Sequence, residues 1–382
     1  MARIEISQVD TPRDRSEFIK FPWRIYKNDP VWVPPLILER KVFLDRKRHP
    51  FYEHGDAALF LARRNGEVVG RIMASDDPNY NSLHQSNVGC FGMFESIDDR
   101  DVAAALLEKA SDWLRTKGRT EIMGPIDYST NYVCALLIDG FQHPPTLLTS
   151  HNPPYYAALI EGCGFVKKKD WYAWFLEKLS EPMTRLQRLA DARSKKHAVT
   201  FRPFNLKNIK EESERLRTVY NNAWQKNWGF VPFTEAETEH MAKEMKPIID
   251  PHTTLIAEVN GQPVAFAICV IDINRAFRHI NGRLTWLGLP VGLVKLLYYK
   301  ARTRVLRFIA LGVVEEFRRA GISETLVLKV IDEALRRGMV GEMSMTLEDN
   351  LMINRFIEAI GGKRYKTYRI YGRDLTHSRA SA

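Results

Sequence analysis

Two Asn-Gly turns stand at matching places in the two halves of this chain. Asn65-Gly66 joins the apolar runs Ala57–Arg63 and Val68–Ala74, and Asn260-Gly261 joins Thr253–Val259 to Val264–Ile271. Asn-Gly between two strand-length apolar runs predicts a two-residue hairpin, because both central residues must take positive φ. The same order then follows each hairpin: strand, helix, strand, short helix, glycine, strand. In the first half these are Val88–Phe94, Asp101–Lys117, Thr120–Met123, Tyr155–Glu161, Gly164 and Trp171–Leu176. In the second they are Phe308–Val313, Glu324–Arg337, Met343–Thr346, Met352–Ile360, Gly361-Gly362 and Tyr365–Tyr371, with a strand Phe201–Phe204 and a helix Ile209–Trp224 ahead of the hairpin. Gly118 and Gly338 end the two long helices as C-caps. A repeat this long predicts tandem domains, since solenoid repeats are far shorter. The 382 residues suit two cores. The expected class is α/β in the α+β sense, each domain a twisted, mixed, mostly antiparallel sheet flanked by helices. The expected boundaries are 1–179, a polar helical linker over 180–198, and 199–376. Phe21–Pro35, rich in Pro and Trp, is expected to pack irregularly.

Composition is globular, with 45% hydrophobic and 27% charged residues. A net charge of +10 favours anionic partners. No nucleic-acid motif accompanies the dispersed basic residues, so nucleic acid is not expected. The four cysteines, Cys90, Cys134, Cys163 and Cys269, lie far apart and form no CxxC pair. Neither a metal site nor a disulfide framework is expected, only reduced buried thiols. The charged N-terminus lacks a secretory apolar region, and no apolar stretch reaches membrane-spanning length. The expected location is cytoplasmic.

Chemistry concentrates in Leu311–Glu324, LGVVEEFRRAGISE. An apolar strand runs into Arg318-Arg319-Ala320-Gly321-Ile322-Ser323, and an amphipathic helix follows at once. The first N–H groups of a helix have no internal partner and lie at the positive end of its dipole. Gly321 lets backbone approach a ligand, and the arginines add charge-assisted donors. Together these features suit a pyrophosphate. The plainer reading is a helix start with a solvated arginine pair.

This segment resembles motif A of the GNAT acyltransferase superfamily, Gln/Arg-x-x-Gly-x-Gly/Ala after a strand. Arg318 and Gly321 match, and Ser323 stands where a Gly or Ala is usual. The resemblance implies an acyl-CoA donor, with pyrophosphate on Arg318–Ser323 and pantetheine on the backbone of Leu311 to Val313. Asn350–Gly361 is similar to motif B, with Asn350 and Gly361 matching. Ile357 occupies the place of that motif's frequent tyrosine acid. The corresponding N-terminal loop, Glu95–Asp101, is acidic and lacks glycine, so no CoA is expected there. A polar, aromatic block follows (Asp127, Tyr128, Asn131, Tyr132, His151, Asn152, Tyr155, Tyr156), which reads equally as acceptor pocket or as packing.

After the second hairpin, Ile271–Gly282 lies where the resemblance implies an acceptor amine. Asp272 and His279 are candidate bases and Asn274 a candidate orienting residue; a polar turn explains all three as well. Next comes an insertion, 284–307. It is first apolar (Trp286, Leu287, Leu289, Val291, Leu293, Val294) and then basic (Lys295, Lys300, Arg302, Arg304, Arg307). Such a sequence suits an anionic membrane surface, a groove for a long acyl chain, or a buried helix pair. The whole chain, from FPWRIYKNDPVWVPPL through GPIDYSTN and NPPYY, resembles a long two-domain bacterial GNAT subgroup that includes bacterial ceramide synthases. That resemblance implies a fatty acyl-CoA donor, a lipid amine acceptor such as a sphingoid base, and a peripheral place on the inner membrane. Two alternatives stand beside it: acetyl transfer to a soluble amine, and CoA binding without catalysis.

Overall fold

The computed structural model describes residues 3–178, 190 and 192–376. Most of the expected linker, 180–189 and 191, lies outside the described residues; Ala192–Lys196 is helical. The chain packs as two units. The first comprises Met1–Trp171, Phe277–Leu296 and Lys366–Ala382, and the second Tyr172–Ala276 and Leu297–Tyr365. The units are therefore not the two halves of the sequence. Residues 277–296 and the end of the chain, expected in the C-terminal domain, count with the first unit.

In the first unit the strands are β1 (Ile4–Gln8), β2 (Asp56–Arg64), β3 (Glu67–Asp76), β4 (Val88–Ser96), β5 (Glu121–Gly124), β6 (Leu136–Asp139) and the start of β7 (Val166–Leu176). Asn65 and Gly66 take φ of 51° and 79° at the β2–β3 turn, as the sequence required. Strands β1 to β5 lie in that order. Only β4 and β5 among them pair parallel. Helix α1 (Arg100–Thr116) buries Val102, Ala103, Leu106, Leu107, Ala110 and Leu114 at helical spacing. These pack with Phe60, Ile72 and Phe91 from the sheet. Burying a large aliphatic side chain contributes roughly 1.5–3 kcal/mol, so this face holds the layer together. Helix α2 (Tyr156–Gly162) completes the layer with Tyr156, Leu159 and Ile160.

The second unit takes the end of β7, then β8 (Thr200–Pro203), β9 (Leu255–Val259), β10 (Gln262–Ile271), β11 (Val305–Val313) and β12 (Val340–Leu347). The order is β7-β12-β11-β10-β9-β8, with β11–β12 parallel and β8 to β11 antiparallel. Helices α3 (Ile209–Ala223) and α4 (Glu235–Met245) precede the hairpin, α4 opening with a Thr234/Glu237 capping box. Helix α5 (Val291–Arg302) has its residues up to Leu296 in the first unit and the rest in the second. Helix α6 (Ile322–Arg336) buries Leu326, Val327, Val330, Ile331 and Ala334 against Leu306, Phe308 and Met343. Helix α7 is Leu351–Ala359.

The last strand, β13 (Lys363–Asp374), gives Lys363–Tyr365 to the second unit and its remainder to the first. There Tyr371–Asp374 pairs antiparallel with Gly124–Glu121, and Thr367–Arg369 with β6. All four cysteines are buried and free, and burial pushes the thiols of Cys90 and Cys269 well up. Among the described residues no helix is long and apolar enough to cross a membrane.

Candidate active site

In the second unit β11 and β12 pair only from Val305↔Val340 to Phe308↔Met343. Beyond that point the two parallel strands part. On its other side β11 carries a bulge: Cys269 faces Phe308 and Ile268 faces Ala310, which leaves Ile309 as the extra residue. Fork and bulge coincide, so beyond Phe308 the side of β11 away from β10 has no paired strand among the described residues. A chain lying along that side meets a strand edge, where backbone hydrogen bonds are the natural contact. Trp224, at the end of α3, donates its Nε1–H to the Leu311 carbonyl at 3.1 Å. Nothing local in the sequence pointed to Trp224; the link spans 87 residues.

After Val313 the chain makes a short turn, Glu315–Phe317, and reaches α6. Gly321 is the N-cap, at φ +73°, and no side chain among the described residues caps this end. The first N–H groups of α6 therefore have no side-chain cap among those residues, a helix start of the kind that can take an anion. Ala320 and Ile322 are buried and offer only backbone. Arg318 is exposed, and its Nη2 donates to the Ala223 carbonyl at 2.7 Å. Arg319 is exposed, while Ser323 donates its hydroxyl to Glu324 at 3.0 Å. A Cβ on Gly321 would meet Ala190 O at 3.1 Å and the Arg193 Cβ at 3.2 Å. Ser194, buried beside them, lies 3.4 Å from the Ala320 carbonyl and 3.2 Å from the Thr325 hydroxyl. The segment before β8 thus braces the loop from outside, which the sequence did not reveal.

The first unit contains the same fork, already filled. Strands β4 and β5 pair only from Val88↔Glu121 to Cys90↔Met123. Beyond it the Asp127 carboxylate accepts from Met93 N at 2.9 Å, and the Tyr156 hydroxyl accepts from Ser96 N at 2.9 Å. The start of α1 is capped by Asp99, which accepts from Asp101 N and Val102 N. Burial would raise this carboxyl. Hydrogen bonds from Arg64 and from those backbone N–H groups outweigh it and hold Asp99 below its ordinary value. A carboxylate therefore sits where a phosphate would bind. Of the polar block, Asp127, Tyr128, Asn152 and Tyr156 are buried and bonded inside the unit. His151 lies 2.7 Å from Asp29, and burial lowers its pKa against the pull of that carboxylate.

The three acceptor-side candidates scatter. Asp272 is fully buried, with Arg275 Nε 3.3 Å away and its own N–H on the Val305 carbonyl. That places it beside the start of β11, four residues and so about 13 Å from the bulge. Asn274 opens a short helix, Asn274–Phe277. His279 lies in the other unit, exposed; partial burial, then Arg278 and Lys295, lower its pKa. Asn350 caps α7, its Oδ1 accepting from Ile353 N at 3.4 Å. Ile357 is buried against Gly362, so this position faces the core and not a ligand. Among the described residues no group of three His, Cys, Asp or Glu is placed to hold a metal.

In the first unit, Trp286 and Leu289 exchange backbone hydrogen bonds around Leu287-Gly288, both at positive φ. Trp286, Leu287 and Leu289 are 61%, 88% and 62% exposed on this tip. Val291, Leu293 and Val294, which follow in α5, are also exposed. Gly292 is buried against the Arg283 carbonyl, which pins the start of α5 to the hairpin.

The profile of the Acetyltransferase (GNAT) family matches residues 214–361. The protein YghO of Escherichia coli K12 is 37% identical over 371 residues, 95% of this chain and 93% of that one. A protein of Caulobacter vibrioides named bacterial ceramide synthase is 33% identical over 385 aligned positions, 98% of each chain. Among solved structures, a tandem GNAT protein from the clavulanic acid biosynthesis pathway superposes with a TM-score of 0.57 at 13% identity, over 98% of this chain and 100% of that one.

Proposed function

Because this chain belongs to the GNAT family of acyl-CoA-dependent N-acyltransferases, we propose that it transfers a fatty acyl group to the amine of a membrane lipid, a sphingoid base being the model acceptor. The observation that carries this reading is the apolar tip Trp286–Leu289 with the start of α5. A leucine at positive φ and 88% exposed is doubly unfavourable in water. Inserted at a lipid surface, the same residue is favourable. Farther along α5 lie Lys295, Lys300 and Arg302, the last stacked 3.7 Å over Tyr298. An apolar wedge followed by cations suits an anionic leaflet. The relative named bacterial ceramide synthase supports the choice of acceptor.

The donor lies on the second unit. Its pyrophosphate rests on the open start of α6, with Arg318, Arg319 and the Gly321–Ser323 backbone as donors. Its pantetheine follows the Leu311–Val313 edge, and a backbone N–H there polarises the thioester carbonyl. Asp272 reaches the amine only through a relay, and His279 only if the acceptor passes it.

The test is free-thiol release from palmitoyl-CoA and acetyl-CoA, each with and without sphinganine, with products weighed by mass spectrometry. Amine-dependent release from palmitoyl-CoA with an amide product is expected. Release from acetyl-CoA alone, or binding without release, overturns the acceptor reading. Vesicles of anionic phospholipid should bind the chain, and Leu287→Asp with Arg302→Glu should weaken that binding at least tenfold; unchanged binding returns the tip to packing.

A further inference from the structure

One charged cluster stands at the fork itself. Arg307 and Glu342 are direct neighbours in the β11–β12 register, one step before the last pair, Phe308↔Met343, at which the strands part. Their side chains are 4% and 0% exposed, with Arg307 Nε 3.6 Å from Glu342 Oε2. Tyr365, from the start of β13, donates its hydroxyl to Glu342 Oε1 at 3.1 Å. Glu342 Oε2 accepts no hydrogen bond among the described residues, and neither does the buried Ser344 Oγ two residues on. Neighbouring residues on a strand face opposite ways. Since Leu306, Phe308 and Met343 point into the α6 core, Arg307 and Glu342 point to the other face of the sheet.

A carboxylate out of water is costly unless its lone pairs are filled. Arg307 balances the charge of Glu342, but at 3.6 Å it is beyond hydrogen-bond distance, so Oε2 and the Ser344 hydroxyl can each still take a hydrogen bond close to the fork. An ammonium is a donor for both. The bulge at Ile309 lies two residues beyond Arg307, so about 7 Å separates this cluster from the strand edge given to the thioester.

We propose that Glu342 is the general base of the acyl transfer, and that Arg307 and Tyr365 are its positioning residues. The assignment rests on the donor lying along β11, as above. The acceptor arrives as an ammonium, and Glu342 Oε2 removes one of its protons. The freed lone pair attacks the thioester carbon, forming the C–N bond while the carbonyl π pair moves to oxygen. The tetrahedral adduct collapses, the C–S bond breaks, and sulfur leaves with the bond pair. The second nitrogen proton passes to that sulfur, giving the CoA thiol and the amide. The proton held by Glu342 returns to water, so each turnover releases one proton. Ser344 Oγ, beside the base, accepts a further ammonium hydrogen and fixes the direction of approach.

The test compares wild type with Glu342→Gln, Glu342→Asp and Tyr365→Phe, using palmitoyl-CoA with sphinganine and, separately, with hexylamine. Glu342→Gln keeps the shape and the Tyr365 contact but takes no proton. At pH 7 its kcat/KM for the amine should fall about 100-fold or more, the usual effect of removing a general base. Donor KM and melting temperature should change little. The deficit should shrink as pH rises toward the amine's own pKa, where free amine is already present. Glu342→Asp should recover part of the rate, and Tyr365→Phe should move the acid limb of the pH–rate profile. A Glu342→Gln rate within threefold of wild type overturns the assignment. So does a deficit that is constant with pH and accompanied by a raised donor KM, which marks a structural pair. Should Glu342→Gln fail to fold, the acid limb in Tyr365→Phe decides, since an unmoved limb overturns the proposal. The wild-type preference between sphinganine and hexylamine tests the lipid acceptor separately.

Discussion

Gly321 and Gly338 lie at opposite ends of α6 and form a matched pair for testing the donor loop. Both take positive φ, +73° and +66°. Alanine in the left-handed region costs about 1–2 kcal/mol, so Gly321→Ala and Gly338→Ala should both destabilise the chain by that amount. For a unit of this size each kcal/mol lowers Tm by about 2–4 °C, so both should melt about 2–8 °C below wild type. They differ in what the new Cβ meets. At Gly338 there is nothing within 4 Å, whereas at Gly321 it meets Ala190 O at 3.1 Å and the Arg193 Cβ at 3.2 Å. The loop must then shift by a few tenths of an ångström, and the uncapped N–H groups shift with it. A hydrogen bond to a charged group is worth about 1.5–3 kcal/mol, so losing one should raise the Kd for CoA roughly 10- to 150-fold. Titration calorimetry with CoA and melting curves on both variants give the result. Gly338→Ala should bind CoA like wild type. Equal affinity in the two variants would mean that the start of α6 does not hold the pyrophosphate.

Calorimetry on the wild type should also give one CoA per chain, because Asp99 and the Asp127 and Tyr156 side chains fill the first unit's loop and fork; a stoichiometry of two refutes this. A pH effect follows from Asp250, which Arg337 holds through two contacts of 2.9 and 2.8 Å. Burial alone would raise this carboxyl, but Arg337 outweighs it and its pKa is lowered. A lowered folded pKa adds stability above the unfolded value near 3.8, and that stability is lost as pH falls through the folded value. In Arg337→Met burial still raises this carboxyl and the hydrogen bonds from His252 and Thr253 still lower it, so the lowering shrinks. The Tm gap between wild type and variant should be widest near neutral pH and close below about pH 4; a gap independent of pH refutes the pairing.

The hairpins and long helices were legible because their signals are local. Asn-Gly at 65–66 and 260–261 sets its own turn, and the apolar spacing of α1 and α6 faces a single layer. The donor loop was legible for the same reason, as strand, turn and helix start are contiguous. What could not be read depends on distant partners. Ile4–Gln8 is too short and polar to announce a strand, and its place comes only from pairing with β2. The bracing of Gly321 by Ala190 and the Trp224 contact with Leu311 join residues remote in sequence. Asp272 looked like a base because a polar residue follows a strand. Its burial against Arg275 is a tertiary fact. Glu342 gives no signal in the sequence, since a glutamate in an apolar strand carries no motif and the fork beside it exists only once β11 and β12 are paired.

The C-terminal strand has a consequence for biosynthesis. The edge of β5 in the first unit is closed by Tyr371–Asp374, a segment translated only after the whole of the second unit. While the ribosome is still making the second unit, that edge carries unpaired N–H and C=O groups, a template for pairing with another nascent chain. Only when β13 has emerged from the ribosome is the strand that seals it present. The first unit, although begun first, is therefore completed only after the second has been made, and a premature stop between the Gly321 loop and β13 leaves the donor loop beside an open β5 edge.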